Sequence, residues 1–241
     1  MFSNLQRFEP HLPNTCPRCI SDLPTALRMF EDQALEIWFT PNPLPSHTPK
    51  LWILGITPGW QQMRIAYEEA ALALNRGQTP AQAIAKPKPN VSFAGSMRAN
   101  LIAMLNALGV QRELGVSDAA QLFGSDLLRT GSVLRFPIFV KGKNYTGHAP
   151  NPLRHPALKR MLDEVWIPEM HSVGNCLILP LGRAVEQILS YATNTHGLDA
   201  QRVLSGFPHP SGANGHRRRQ FAQAQKSLTE RIDTWFTNHR N

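Results

Sequence analysis

The sequence predicts an α/β protein, a three-layer α/β/α sandwich around a central, mostly parallel four-stranded sheet. Two segments carry most of that reading. Leu51-Trp-Ile-Leu-Gly-Ile-Thr-Pro-Gly59 and Gly206-Phe-Pro-His-Pro-Ser-Gly212 are short apolar runs that stop at glycine and proline, and the second delivers a histidine and a serine at the stop. Parallel sheets in such folds place polar groups at the carboxyl ends of their strands, where ligands bind. The third observation is that strand-like and helix-like stretches alternate along all 241 residues with no repeat and no linker. That is the pattern of a doubly wound sheet in one domain, 1–241.

In order, residues 24–39 are expected to form an amphipathic helix, with Leu27, Phe30, Leu35 and Trp38 at helical spacing. A proline-rich connector leads to a strand at 51–56. Residues 62–75, rich in alanine and closed by Gly77, read as a helix, as do 97–108, ended by Gly109. Between them lies a loop, 86–95. Residues 132–140 are rich in β-branched and aromatic side chains and read as a strand, with a loop at 141–152. A helix is expected at 156–169, a strand at 176–181, a helix at 183–191, a last strand at 203–207 and a long basic helix at 217–237.

The net charge is +8 and the pI near 9.9. A basic surface favours polyanions by releasing counterions from phosphate, which points to nucleic acid without specifying it. A merely basic surface is the plainer alternative. No apolar run approaches the roughly 20 residues of a membrane span, and Glu9, Pro10 and His11 interrupt any apolar leader. The expectation is a cytoplasmic monomer with no membrane partner. Cys16-Pro-Arg-Cys19 has metal-ligand spacing, but a structural site needs about four ligands. His11 is a third candidate, and Cys176 sits in an expected core strand. No cofactor and no bound metal are expected, with Cys16 and Cys19 as weak metal candidates.

The turn Gly55-Ile-Thr-Pro-Gly59 ends its strand because Pro58 cannot continue it, and Gly59 lets backbone approach a ligand. Here the chain resembles the uracil-DNA glycosylase superfamily. The first motif of that superfamily is a buried strand running into Gly-x-Asn-Pro-Gly, Gly-Gln-Asp-Pro-Tyr or Gly-Glu-Ala-Pro-Gly. Its second, His-Pro-Ser after the last strand, matches His209-Pro210-Ser211. Val91-Ser-Phe93-Ala-Gly95 resembles the family's Pro-Phe-Val-Gly, Leu181-Gly182-Arg183-Ala184 its Leu-Gly-Arg-Thr-Ala, and Cys16-Pro-Arg-Cys19 the first cysteine pair of its iron–sulfur branch.

The resemblance implies a uracil-DNA glycosylase-like fold and an enzyme that flips a pyrimidine out of DNA, because a base inside the duplex cannot be reached. It implies Thr57 and His209 as catalytic groups, the histidine stabilising the departing base. Ile56, Gly59, Phe93 and Ser132 become the base-binding set, with Phe93 stacking on the base. Ser211, Gly212, Asn214, His216 and Arg217 become the phosphate-binding and wedge residues. For Phe93, a place in the core is the competing reading; for the arginine run 217–219, a solvated helix face.

The chain departs from the family pattern at three places. Thr57 stands where relatives carry Asp or Asn; a hydroxyl can orient water but cannot act as a carboxylate base. Glu68 and Glu69 are substitutes without geometric support. Where relatives carry an asparagine that reads uracil, this chain has Gly131 and Ser132, so discrimination is weakened. Gly59 replaces the tyrosine that, in the most selective branch, excludes groups on pyrimidine C5. The expected activity is therefore that of a monofunctional glycosylase acting on a damaged or modified, C5-substituted pyrimidine, in base-excision repair or in defence against modified foreign DNA. The alternatives are a uracil-specific glycosylase and a DNA-binding relative without activity.

Overall fold

The computed structural model describes residues 2, 4–43, 48–85, 93 and 95–239. Its strands are β1 (Arg28–Glu31), β2 (Glu36–Trp38), β3 (Leu51–Gly55), β4 (Leu128–Ser132), β5 (Ile138–Val140), β6 (Lys143–Asn144) and β7 (Leu177–Pro180). Its helices are α1 (Trp60–Asn75), α2 (Pro80–Ala85), α3 (Ser96–Ala107), α4 (Val110–Glu113), α5 (Pro156–Met161), α6 (Ile167–Ser172), α7 (Arg183–His196) and α8 (Arg217–Asn238), with a π-helical stretch, Leu162–Trp166, joining α5 to α6. The chain divides into two compact units: residues 1–46, 56–92 and 132–169 in one, and 47–55, 93–131 and 170–241 in the other. No helix among the described residues is long and apolar enough to cross a membrane.

The first unit contains an antiparallel sheet in the order β1-β2-β5-β6. Ile37 pairs with Ile138, and Phe139 with Asn144. Lys141 and Gly142, both with positive φ, make the tight two-residue turn that joins β5 to β6, the kind whose twist suits a hairpin. Phe8 stacks on Phe39 at 4.7 Å, and the buried Tyr67 of α1 donates its hydroxyl to the Phe39 carbonyl at 2.7 Å. Burial pushes that phenol's pKa well above its ordinary value.

The second unit is built on a three-stranded sheet, β4-β3-β7. All five residues of β3 are buried, as expected of a central strand covered on both faces, which reads as a continuous apolar run. β7 is parallel to β3, pairing Leu51 with Leu177 and Leu54 with Pro180. β4 runs the same way: the Leu127 carbonyl accepts from Lys50 and Leu51 N–H, while Gly131 lies beside Gly55. Around the sheet, Leu101 and Leu105 from α3, Leu108 just past its end, and Leu228, Ile232, Trp235 and Phe236 from α8 join Ile53 and Leu179 in one apolar cluster.

Three expectations need correction. The helix expected at 24–39 is a β-hairpin, β1 and β2. Asp32 accepts from Ala34 and Leu35 N–H, which closes a turn instead of a helical one, and the pairing of β2 with β5 fixes the extended form. The strand expected at 132–140 forms only at its end, as β5 from Ile138 to Val140, while β4 precedes it and stops at Ser132. The fourth parallel strand, expected at 203–207, shrinks to a single bridge between Val203 and Ile178. Ser205 N–H folds back on the Val203 carbonyl and Gly206 takes φ +92, so the ladder cannot continue. The parallel sheet thus has three strands and one bridge, and a second, antiparallel sheet accompanies it. The helices expected at 62–75, 97–108 and 217–237 are α1, α3 and α8, within two residues at each end.

Candidate active site

In the second unit, β3 and β7 end side by side: Leu181 N–H donates to the Leu54 carbonyl at 2.8 Å, and each strand then reaches a glycine. A Cβ on Gly55 would lie 3.4 Å from the edge of the Phe93 ring. A Cβ on Gly182 would lie 3.1 Å from Cδ2 of His209, and Gly182 has φ +92, so both sterics and backbone require glycine there. The Phe93 ring and the His209 imidazole therefore share the carboxyl end of the parallel sheet. Phe93 is buried, packs with the apolar cluster and has φ +52, a strained backbone for an aromatic residue. Its neighbours Val91, Ser92 and Ala94 lie outside the described residues.

His209 is half-buried between two buried prolines. Ser211 N–H donates to its Nδ1 at 3.2 Å, so Nδ1 carries no proton and the neutral ring holds its N–H at Nε2. Burial lowers the imidazole's pKa below its ordinary value, which keeps the ring neutral. It faces a cavity of about 550 Å³ whose other walls include Arg183, Glu186, Asn214, Gln220 and Gln223. The result is a preset hydrogen-bond donor at the rim of a pocket.

The turn carrying His209 is locked from outside. Asn100 Nδ2 donates to the Pro210 carbonyl at 2.9 Å. Arg217 donates to the Ser211 carbonyl at 2.8 Å and to Asn100 Oδ1 at 3.1 Å. Asn214 donates to the His209 carbonyl and to Gln220 and accepts from His216 N–H. Ser211 Oγ accepts from Ala213 N–H at 3.2 Å, leaving its own proton to donate. Gly212, His216, Arg218 and Arg219 are exposed.

In the first unit, the residues after Gly55 form the other turn. Ile56 gives its carbonyl to Leu134 N–H. The Thr57 hydroxyl donates to the Phe136 carbonyl at 2.8 Å, so only its lone pairs remain to hold another molecule. Gly59 N–H is capped by Gln62 at 2.7 Å, and Trp60 N–H by Asn144 Oδ1 at 2.8 Å. Ser132 is half-buried at the end of β4. In the second unit, a Cβ on Gly131 would meet the Trp52 Nε1 at 3.2 Å and Leu54 at 3.7 Å, so a long side chain is crowded out of that position.

Other candidates are held elsewhere. Cys16 accepts from Arg64, Cys19 lies against Asp22 and Ser21, and among the described residues no group of three or more His, Cys, Asp or Glu could hold a metal ion. Glu68 pairs with Arg64 at 3.2 Å. Sequence reasoning missed Asn100 and Asn144. Nothing in their local patterns marks them, because each acts on backbone far away in the chain.

The second unit thus carries a histidine-bearing turn at the carboxyl end of a parallel sheet, with a hydrogen-bond donor facing a cavity, in an α/β chain. The chain belongs to the family of Uncharacterized protein YoxB of Bacillus subtilis (strain 168), to which it is 40% identical over 217 residues, covering 88% of this chain and 85% of that protein. No family model matches the chain. Among solved structures it has a remote likeness to WT Pedobacter heparinus SMUG2, 14% identical, with 80% of this chain and 75% of that one covered and a TM-score of 0.39.

Proposed function

We propose that the protein is a monofunctional DNA glycosylase. It everts a damaged or modified pyrimidine, one bearing a C5 substituent, and hydrolyses its N-glycosidic bond. The observation that carries this reading is His209: neutral, its tautomer set by Ser211 N–H, at the end of the parallel sheet and facing a cavity.

In the reaction the C1′–N bond breaks with its electron pair leaving on the base, and a water oxygen bonds C1′. One water proton is lost to solvent, the departed base anion takes up a proton from solvent, and the free base and an abasic site result. His209 Nε2–H stabilises the oxygen on which the negative charge gathers. Thr57, its proton committed to Phe136, offers lone pairs that hold the water. Phe93 stacks on the base. Ser211, with its free hydroxyl proton, and the exposed Arg218 and Arg219 meet phosphate, and the 212–216 loop enters the stack the base has left. Arg217 serves mainly to hold the turn. The net charge of +8 supports a polyanionic partner.

The committed Thr57 hydroxyl favours one rival: a DNA-binding protein that does no chemistry. Abasic-site formation on oligonucleotides carrying a panel of modified pyrimidines separates the two. Turnover by the native protein that is lost in His209→Ala is the expected result; binding without base release on every oligonucleotide overturns the enzyme. Mass spectrometry of bases released from modified genomic DNA then identifies the substrate, and distinguishes repair of damaged bases from attack on foreign modified DNA.

A further inference from the structure

The three cysteines sit in two different settings. Cys176 is buried in the second unit, and burial pushes its thiol above the ordinary range, which leaves it inert. Cys16 and Cys19, in the first unit, are half-buried and exposed. Only Pro17 and Arg18 separate them, and the chemistry proposed above uses neither.

Each of these two sulfurs has a partner suited to a different task. Arg64 Nη1 of α1 donates to Cys16 Sγ at 3.5 Å, while the Cys16 thiol turns its own proton toward the Pro17 carbonyl at 3.7 Å. Glu68, one turn further along the helix, pairs with the same nitrogen at 3.2 Å and holds the guanidinium in place. A cation against sulfur stabilises the negative charge of a nucleophilic thiolate. Cys19 is presented otherwise. Asp22 Oδ2 accepts from Arg18 N–H at 2.8 Å and Cys19 N–H at 3.2 Å, which folds the chain back on itself. Asp22 Oδ1 accepts from the Cys19 thiol at 3.2 Å. One sulfur thus faces a cation and the other a proton acceptor. Among the described residues, no group of three or more His, Cys, Asp or Glu could hold a metal ion there.

We infer that Cys16 and Cys19 form an oxidation site for hydrogen peroxide, with Cys16 the attacking and Cys19 the resolving cysteine. The site stands apart from the glycosylase reading and does not need it. The Cys16 thiolate, its proton given to solvent, attacks one peroxide oxygen. An S–O bond forms and the O–O bond breaks; the other oxygen leaves with the electron pair and takes a proton from solvent to become water. Cys16 is then a sulfenic acid, oxidised by two electrons, and the peroxide is reduced. Cys19 passes its proton to Asp22, and its sulfur attacks that of Cys16. The S–S bond forms as the S–O bond breaks, and the departing hydroxide takes the Asp22 proton to become a second water. Exchange with a small dithiol returns the disulfide to two thiols.

In the test, the reduced full chain is treated with hydrogen peroxide, its remaining thiols are alkylated in denaturant, and it is cut with trypsin. Trypsin cleaves after Arg18, so a bridge joins residues 8–18 to residues 19–28, a link seen by mass spectrometry and removed by dithiothreitol. The expected product is that linked pair, with Cys176 recovered as an alkylated thiol. Cys19→Ser, a change at an exposed position, is expected to stop at the Cys16 sulfenic acid, which dimedone traps. Arg64→Ala is expected to slow thiol loss about tenfold. Arg64→Lys keeps the charge and is expected to recover most of the rate, with thermal midpoints near the native value showing that both variants are folded. If either Arg64 variant fails to fold, the Cys19→Ser result decides alone. Oxidation no faster than that of glutathione, dimedone found on Cys19 in the native protein, or an Arg64→Ala rate equal to the native one overturns the assignment. So does zinc retained stoichiometrically by the purified protein with both thiols shielded from peroxide.

Discussion

The two turns that carry the candidate chemistry are built in opposite ways. At 209–217 the polar side chains around the key residue, Asn100, Asn214 and Arg217, spend their hydrogen bonds on backbone carbonyls, and the histidine ring keeps its Nε2–H for something else. At 56–59 the key side chain itself is spent, since the Thr57 hydroxyl closes on the Phe136 carbonyl. The first turn is a support with a free functional group. The second is a support made partly from the functional group. A buried polar group loses most when its partner disappears, so the same type of substitution should report chemistry in one turn and folding in the other.

The largest expected effect is in the first turn. His209→Ala should lower kcat by about 10²–10³-fold, the usual cost of one preset donor at developing negative charge, with DNA affinity by fluorescence anisotropy little changed. Equal activity in the variant would remove the histidine from the chemistry. Next comes Gly182→Ala, which forces a Cβ to within 3.1 Å of the imidazole at a positive φ. Displacing the ring by a few tenths of an ångström should cost about tenfold in kcat, more than its effect on KM. A variant as active as the native protein would show that the ring's place beside Gly182 does not matter.

Thr57→Val should cost about 1–3 kcal/mol of stability, read from the urea midpoint, because the buried Phe136 carbonyl loses its donor. Turnover should fall about tenfold through the lost water acceptor. If stability falls and kcat does not, the hydroxyl is purely a brace and the contrast between the turns is complete. The smallest effect is in pH. The His209 pKa is lowered by burial, so the folded protein binds this proton less readily than the unfolded chain. Stability contributed by the neutral ring is present above the ordinary value of 6.5 and declines as pH falls below it toward the depressed folded value. Activity should hold through pH 6.5 and fall only in stronger acid. An acid limb of kcat/KM centred above 6.5 would contradict a buried neutral ring.

Both turns were legible in the sequence because each is a local signal, an apolar run stopped by glycine and proline. The hairpin at residues 28–38 was not. Leu27, Phe30, Leu35 and Trp38 fit helical spacing equally well, and the choice was made by the pairing of Ile37 with Ile138, a hundred residues on. The final strand was overread: its apolar residues are buried, yet Val203 alone keeps a bridge. The lack of a side chain at Gly131 also has a cause invisible locally, the indole of Trp52 packed against it from the neighbouring strand. The polar braces Asn100 and Asn144 were illegible for the same reason, since what they hold lies 110 and 84 positions away in sequence.

The central place of β3 has a consequence for how the chain is made. Both of its neighbours come later, residues 128–132 and 177–180, so Leu51-Trp-Ile-Leu leaves the ribosome with neither side occupied. At a synthesis rate of roughly 10 residues per second, β7 is made about 13 seconds after β3. Through that interval a wholly apolar ribbon is available to other nascent chains. Growth temperature and chaperone supply, more than the stability of the finished molecule, should set how much active protein a cell obtains.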